Sequence, residues 1–314
     1  MDPSALDIRP TTSRDDDLRA VVNVMTQVDR GLGSVEDLRG LRSTMRHVLH
    51  VVAWSDGRPV GFGFAGTWPG GEPHPLLEAD IGVMRTQRRR GAGSALFRAL
   101  SDHARGLGHT GFQFEVFEDG ADALDFLHHR GYTEVGRELQ FELDLADATP
   151  PSRELPARFE IVSRAQRPDL VPGMYEVAVE AVPDIPGSEG EQPSSYEDWH
   201  AFEIERPNHL PENCFIAIHQ DEVVGFATLQ GVRGDTAHHG ATLVKRAWRG
   251  RGIARALTLR QIAAATAAGF RLLHCETEAR NEPMRRLLEQ LGYRSLPSVI
   301  ELQGPLATEH AGRP

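Results

Sequence analysis

The sequence predicts an α/β protein of two tandem domains, each a mixed, mostly antiparallel sheet flanked by helices. Three observations carry this. First, the chain repeats itself. Arg88-Arg89-Arg90-Gly91-Ala92-Gly93 aligns with Arg249-Gly250-Arg251-Gly252-Ile253-Ala254, and Gly131-Tyr132 with Gly292-Tyr293, both at an offset of 161 residues. Gly108 and Glu115 fall on Gly269 and Glu276 at the same offset, and Gly57 to Phe62 resembles Asp221 to Phe226 at an offset of 164. Second, each copy places short β-rich runs around a turn and then a long Ala- and Leu-rich helix. Third, 314 residues is the length of roughly two ordinary domains.

Taken in order, each copy opens with a helical, charge-rich third, Asp15 to His47 and Pro168 to Glu205. A hairpin follows. In the first copy Leu49 to Ala53 turns at Ser55-Asp56-Gly57 into Val60 to Gly66; in the second Cys214 to Ile218 turns at Gln220-Asp221-Glu222 into Val223 to Leu229. A strand (Ala79 to Met84, Ala241 to Val244) runs through the Arg/Gly turn into a helix (Ser94 to Arg105, Ile253 to Ala268). Another strand (Phe112 to Phe117, Leu272 to Thr277) leads to a short helix (Asp122 to His129, Pro283 to Gln290), stopped by Gly131 or Gly292 as a left-handed C-cap. Leu139 to Leu145 and Val299 to Leu302 are the closing strands. Ala146 to Arg158, with Pro residues and almost no large apolar side chains, reads as a linker, which sets the domains at 1–150 and 151–314. The tail beyond Leu306 reads as frayed.

Composition narrows the function. The chain is 40% hydrophobic and 25% charged, with 34 Lys and Arg against 45 Asp and Glu, a formal charge of −11. That balance disfavours nucleic acid as the main partner. No apolar run reaches the ~18–20 residues of a membrane span, and Met1 to Pro10 has no signal-peptide pattern. Two cysteines, Cys214 and Cys275, make no disulfide framework, so the expected compartment is the cytoplasm.

The chemical signal is the strand, Arg-x-x-Gly-x-(Gly/Ala) turn and helix present in both copies. A helix N-terminus offers unpaired backbone N–H groups and the positive end of a dipole, and glycines let an anion come close. A P-loop is excluded, because no Gly-Lys-Ser/Thr is present. The dinucleotide fingerprint is excluded by Leu96 and Arg255 where its third glycine belongs.

With the following strand, short helix and Gly-Tyr, this series resembles the acetyl-coenzyme A-binding core of the GNAT superfamily of N-acetyltransferases. The resemblance spans most of 5–145 and 158–305. It implies acetyl-CoA as cosubstrate, its pyrophosphate on the turn and its pantetheine arm against the preceding strand. The implied binding residues are Leu243, Val244, Arg249, Gly250, Arg251, Gly252, Ile253, Ala254, Asn281 and Met284 in the second copy. In the first they are Val83, Arg88, Arg89, Arg90, Gly91, Ala92 and Gly93. The second copy is also similar to an actinobacterial tandem-GNAT pattern through Asp184-Ile185-Pro186, Thr242-x-Val244, Asn281-x-Pro283-Met284 and Leu291-Gly292-Tyr293.

The resemblance assigns catalysis to the second copy and leaves the first degenerate. Asn281 stands where the first copy has Gly120. His238, six residues ahead of Val244, stands where the same count from Val83 gives Leu77. His238 is the candidate general base, and Glu276 a second one whose counterpart Glu115 speaks for a structural part. Where the family's general-acid Tyr is usual, four residues before Gly-Tyr, stand Leu127 and Leu288. Tyr132 and Tyr293 read as core aromatics. Cys275 has no activating base in reach of a covalent route, because its neighbour His274 points the other way along the strand. His238 and His239 point to opposite faces, so no metal site is expected.

For the acceptor, Glu180 to Glu203 holds Glu180, Asp184, Glu189, Glu191, Glu197, Asp198 and Glu203 without a Lys or Arg, interleaved with Tyr196, Trp199 and Phe202. A solvated acidic face and an anionic funnel for a cationic amine are both open readings. Asp184, Tyr196, Trp199 and Thr242 are the candidate substrate contacts. The implied function is transfer of an acetyl group to a primary amine of a small molecule, antibiotic- or polyamine-like, in a ternary complex. A mycothiol synthase-like acetyltransferase and a noncatalytic acetyl-CoA sensor are the alternatives.

Overall fold

The computed structural model describes residues 6–12, 14–28, 34–67, 75–147, 159–187, 195–205 and 209–308. Most of the expected linker, 148–158, lies outside them, as do Glu189 and Glu191. The chain forms two compact units, 1–135 with 300–314 and 136–299.

The first unit contains strand β1 (Leu6–Pro10), helices α1 (Asp15–Val28) and α2 (Val35–Thr44), and strands β2 (Arg46–Ser55), β3 (Arg58–Thr67) and β4 (Leu76–Val83). Helix α3 (Ala92–Gly106), strand β5 (Gly111–Phe117) and helix α4 (Ala121–His128) follow. Its strands lie in the order β1-β2-β3-β4-β5, antiparallel except for β4 on β5. Next to β5 comes the end of the last strand of the chain, β12 (Arg294–Pro305), from residue 300 onward.

In the second unit β6 (Thr133–Asp144, from residue 136) precedes β7 (Glu160–Ser163), α5 (Val171–Ala181), α6 (Tyr196–Glu203), β8 (Phe215–His219) and β9 (Glu222–Arg233). Then come β10 (Thr236–Val244), α7 (Ile253–Ala267), β11 (Leu272–Glu278) and α8 (Glu282–Gln290). The strand order is β7-β8-β9-β10-β11-β6, again with one parallel pair, β10 on β11.

Helical periodicity explains the layers. Ala92, Leu96, Leu100 and Ala104 of α3 line one stripe against Leu77 and Phe112, while Leu18, Val21 and Met25 of α1 cover the other sheet face at Val52 and Phe62. In the second unit Val171, Met174, Ala178 and Ala181 of α5 pack on Ile216, Phe226 and Leu243. Ile253 and Leu257 of α7 pack on Ala217, Val224 and Ala227.

Four expectations are corrected. The units do not divide at residue 150, because each takes the closing strand that the sequence reading gave to the other copy. Ile300 and Leu302 join the core of the first unit beside Phe112 and Tyr132, whereas Phe141 and Leu143 join the second beside Leu273 and Tyr293. Glycine fixes the first exchange: a Cβ on Gly304 would lie 2.5 Å from the Tyr132 ring, and one on Gly111 2.3 Å from the Gly304 carbonyl. The tail stays packed to Ala307, whose N–H donates to Ser101 Oγ at 3.0 Å and whose carbonyl accepts from Arg105 at 2.6 Å. Each unit also has a short edge strand, β1 or β7, that was not expected, and the strands before the Arg/Gly turns start earlier, at Leu76 and Thr236.

Two tests follow. A fragment ending at residue 150 lacks the strand from Ile300, so it should fail to give a cooperative melt, and Gly304→Val in the full chain should lower stability by about 1–3 kcal/mol. A cooperative melt from the fragment contradicts this exchange. The second test uses His50, buried against Phe64 and pushed down to about 4 by desolvation and by Arg42. Its folded pKa lies below the unfolded one, so the unfolded chain binds a proton between pH ~6.5 and 4 that the folded chain refuses. Stability should therefore fall as the pH is lowered across that window, and His50→Phe should flatten the fall by up to about 1.4 kcal/mol per pH unit in urea melts. An unchanged slope contradicts it.

Candidate active site

β10 and β11 are partners over only three pairs, Thr236–Leu272, Ala237–Leu273 and His238–His274, and then part. Beyond that point, among the described residues, the edge of β10 facing β11 has no strand to bond, which leaves a cleft ending at the Arg249 turn. The other edge carries a bulge. His239 pairs with Leu229 and Thr242 with Ala227, so Gly240 and Ala241 oppose Thr228 alone. Glycine is required there, since a Cβ on Gly240 would meet Thr228 Oγ1 at 2.4 Å. The first unit has the parting, after Glu78–Gln113, without the bulge: β3 and β4 pair continuously from Gly61–Val83 to Gly66–Glu78.

That extra residue corrects the comparison of the two copies. Upstream of it, His238 on His274 corresponds to Glu78 on Gln113, not to Leu77. Leu77 is instead the counterpart of the core residue Ala237. The first unit thus carries Glu78 and Glu115 where the second carries His238 and Glu276, and the expected contrast of His238 with an apolar side chain does not hold.

The turns are built alike. Gly250 (φ 71°) and Gly252 (φ 83°) both adopt left-handed backbone with nothing within 4 Å of a Cβ. The first bond of α7 runs from the Ala256 N–H to the Gly252 carbonyl, so the amides ahead of it have no helix acceptor. Ile253 is fully buried and pins the helix start to the sheet, leaving only its backbone for a ligand. Arg249 donates from Nε to the Val244 carbonyl (3.0 Å) and from NH1 to Asp184 (2.8 Å). Arg251 lies over the Trp248 ring at 4.9 Å. In the first unit Gly91 (φ 90°) matches Gly252, but Arg89 (φ 60°) takes the strained place of Gly250. Arg88 and Arg89 both bond Asp122 at 3.1 Å, and Arg90 bonds Gln87 at 3.3 Å. Ala92 is buried, Gly93 lies under Phe126, and Val83 is half-buried in the core.

At the point of parting, His238 Nε2 lies 3.5 Å from Glu276 Oε2. The hydrogen bond from His238 holds the Glu276 carboxyl below its ordinary range against the upward pull of burial. His274 and Glu276 alternate with Cys275, so both share the face of His238. Across the β11–β6 ladder, His274 Nε2 lies 2.6 Å from Glu142, which also accepts from Arg294, and Gln140 stands opposite Glu276. Burial raises the Glu142 carboxyl, but Arg294 and His274 outweigh it and hold its pKa low. On the other face His239 is buried between Gln261 (3.0 Å) and the Tyr293 hydroxyl (2.5 Å), with its pKa driven to about 4 by desolvation. Cys275 is also on that face, and burial pushes its thiol to about 12.

The remaining predicted residues divide. Leu243 is core, Val244 ends β10, Ala254 lies in the first turn of α7, and Met284 is half-buried against the second unit's core. Asn281 caps α8, its side chain accepting from the Met284 N–H at 3.4 Å. Trp199 is buried against Phe226, and Tyr196 packs on Tyr175 and Trp199. They share the sheet face of His238, since His238 pairs with Gln230 in step with Phe226. Thr242, opposite Ala227, lies on the α7 face and is not brought to them. Asp184 meets arginines rather than open solvent: Arg246 at 2.5 Å and Arg249 at 2.8 Å pull its pKa to about 2. Sequence reasoning missed His274, Gln140, Glu142 and Arg294. Gln140 and Glu142 had been counted with the first copy, so only knowledge of the strand exchange would have found them. Among the described residues, no group of three or more His, Cys, Asp or Glu is placed to hold a metal ion, and no helix is long and apolar enough to cross a membrane.

The model of the acetyltransferase (GNAT) family matches twice, at residues 24–132 and 173–293. The chain belongs to the GNAT acetyltransferase family, as two tandem GNAT folds. Among solved structures it is similar to a GCN5-related N-acetyltransferase from Sphaerobacter thermophilus, at TM-score 0.76 and 19% identity over 98% of this chain and 97% of that one. It is similar as well to a tandem GNAT protein from the clavulanic acid biosynthesis pathway, at TM-score 0.78 and 19% identity over 97% and 99%. A comparison with curated proteins returns no match. The family's cosubstrate is acetyl-CoA, and the open amides and glycines of the Arg249 turn together with the cleft beside β10 fit its pyrophosphate and extended arm.

A side chain at Gly252 would both force positive φ on a non-glycine residue and crowd the amides. Gly252→Val should weaken coenzyme A binding in titration calorimetry by at least about tenfold with the fold retained. Unchanged affinity contradicts the placement.

Proposed function

We propose that the second unit transfers the acetyl group of acetyl-CoA to a primary amine of a small, cationic molecule, with both substrates bound at once. The observation that carries this is the His238–Glu276 pair, 3.5 Å apart where β10 leaves β11, at the head of the cleft that ends in the Arg249 turn. An amine enters as an ammonium ion and must lose a proton before its nitrogen can attack. His238 accepts that proton, and the Glu276 carboxylate stabilises the imidazolium and orients the ring. The neutral nitrogen then bonds the thioester carbon, the carbon–sulfur bond breaks, and the second proton of the now positive nitrogen passes through water to the departing thiolate, leaving a neutral amide and the free thiol. On this reading a backbone N–H on the edge of β10 beyond the His238–His274 pair meets the developing oxyanion.

Direct transfer is supported by Cys275. A thiol held near 12 and turned away from every basic group on the site face is a poor acyl carrier. The preference for a cation rests on Glu276 and on the aromatic group Tyr175, Tyr196 and Trp199 on the same sheet face. Asp184 and Glu180 contribute less than the sequence implied. Asp184 is paired with Arg246 and Arg249, and Glu180 accepts from the Arg246 N–H at 2.6 Å. The first unit is read as a noncatalytic partner on its unbulged strand and its strained Arg89.

The test is a thiol-release screen of acetyl-CoA against a panel of amines. With an active amine, His238→Ala should lower turnover at pH 7 by about 10²–10⁴-fold and regain part of it at high pH, where the amine is already neutral. Intersecting double-reciprocal lines are expected. Parallel lines, or a His238→Ala enzyme near wild type, contradict the reading.

A further inference from the structure

The motif arginines of the two turns have the same pose and different partners. Arg249 is fixed through Nε to the last carbonyl of its strand, Val244, and Arg88 likewise to Val83 at 3.2 Å. In each case NH1 then points to a carboxylate oxygen, Asp184 at 2.8 Å or Asp122 at 3.1 Å. These two acids are not repeats of one another. At the 161-residue offset Asp122 falls on Pro283, and Asp184 falls on Asn23. Two unrelated positions have thus supplied an oxyanion to the same nitrogen, which marks that nitrogen as an anion position preorganised by the fold.

The consequences differ because the acids sit on different elements. Asp122 is in the first turn of α4. Asp184 ends a short 3-10 turn, Val182–Asp184, that continues α5 toward α6, the two helices that carry Tyr175, Tyr196 and Trp199. It also holds Arg246 through Nε and NH2, at 2.5 and 2.8 Å, while Glu180 one turn earlier takes the Arg246 N–H. Three residues on, Gly187 (φ 97°) lies against β11, where a Cβ would meet Glu278 Cγ at 3.4 Å. The segment 182–187 therefore runs from the end of β10 to the end of β11, across the mouth of the cleft between them.

We propose that Asp184 is a positioning residue that stands in for the coenzyme's phosphate: binding of the pyrophosphate at the Arg249 turn displaces its carboxylate from Arg249, and the 182–187 strap, then held through Arg246 alone, loosens across the mouth of the cleft. The inference rests on the proposed binding of acetyl-CoA in the second unit. Exchange of one anion for another at Arg249 makes the two substrates bind in order, coenzyme first. It also keeps the guanidinium paired when the coenzyme is absent, so the site is held in shape without ligand.

The experiment compares coenzyme A binding, by titration calorimetry, to the full-length wild type, Asp184→Asn and Asp184→Glu. Removing an exposed competing carboxylate should tighten coenzyme A about three- to fivefold in Asp184→Asn, with Asp184→Glu returning toward wild type. Hydrogen exchange at residues 182–187 should rise in the wild type when coenzyme A is added, and should already be high in Asp184→Asn. A merely structural Asp184 would give the opposite sign: weaker binding in Asp184→Asn, or ligand-induced protection of the strap, overturns the exchange while leaving the proposed function standing. A wild type that binds no coenzyme A at all overturns the proposed function instead.

Discussion

The separation of β10 from β11 after the His238–His274 pair is the constraint on which the site depends. A parallel pair inside a sheet normally satisfies both edges of each strand, and opening it exposes backbone donors that must find another partner. Here the opening begins beside His238 and Glu276 on the site face and ends at a helix whose first amides also lack helix acceptors. The bulge at Gly240-Ala241 matters for the same reason. One extra residue reverses the alternation of side chains, so that His239 and Thr242 share the α7 face and Leu243 returns to the α5 face.

The duplication supplies an internal control. Both units keep the parting strands, the turn and the arginine anchored to the last carbonyl of its strand, so those belong to the scaffold. What differs is local. Gly250 is replaced by Arg89 at nearly the same left-handed φ, and the core residue Ala79 occupies the place of His239. Burying a histidine beside a tyrosine hydroxyl, where a methyl group serves in the other copy, is paid for by two polar contacts and gives the second unit a polar core next to its cleft.

Much of this was legible in the sequence, for physical reasons. Gly91 and Gly252 are readable because positive φ at the start of a helix favours glycine, and Gly131 and Gly292 because a left-handed C-cap does. The exchange of closing strands was not legible. Either strand carries the same alternating apolar pattern, and only the contacts of Gly304 with Tyr132 and of Glu142 with His274 and Arg294 decide which unit each joins. The bulge was hidden too, since counting residues back from Val83 and Val244 assumes equal strands and so set Leu77 against His238. Asp184 was read as facing an amine because a run of acids carries no sign of the arginines folded onto it. The strand Leu6–Pro10 was missed because five residues ending in proline, mostly exposed at a sheet edge, give little periodic signal.

The central claim is that the second unit holds acetyl-CoA in the opening beside β10. A crystal structure of the chain grown with coenzyme A tests it most directly. The account predicts the pyrophosphate on the backbone amides of Gly250 to Ala254 and the pantetheine arm between β10 and β11, its thiol end near His238. Pyrophosphate at the Arg88–Gly93 turn alone, or an arm that runs outside the cleft, would contradict it.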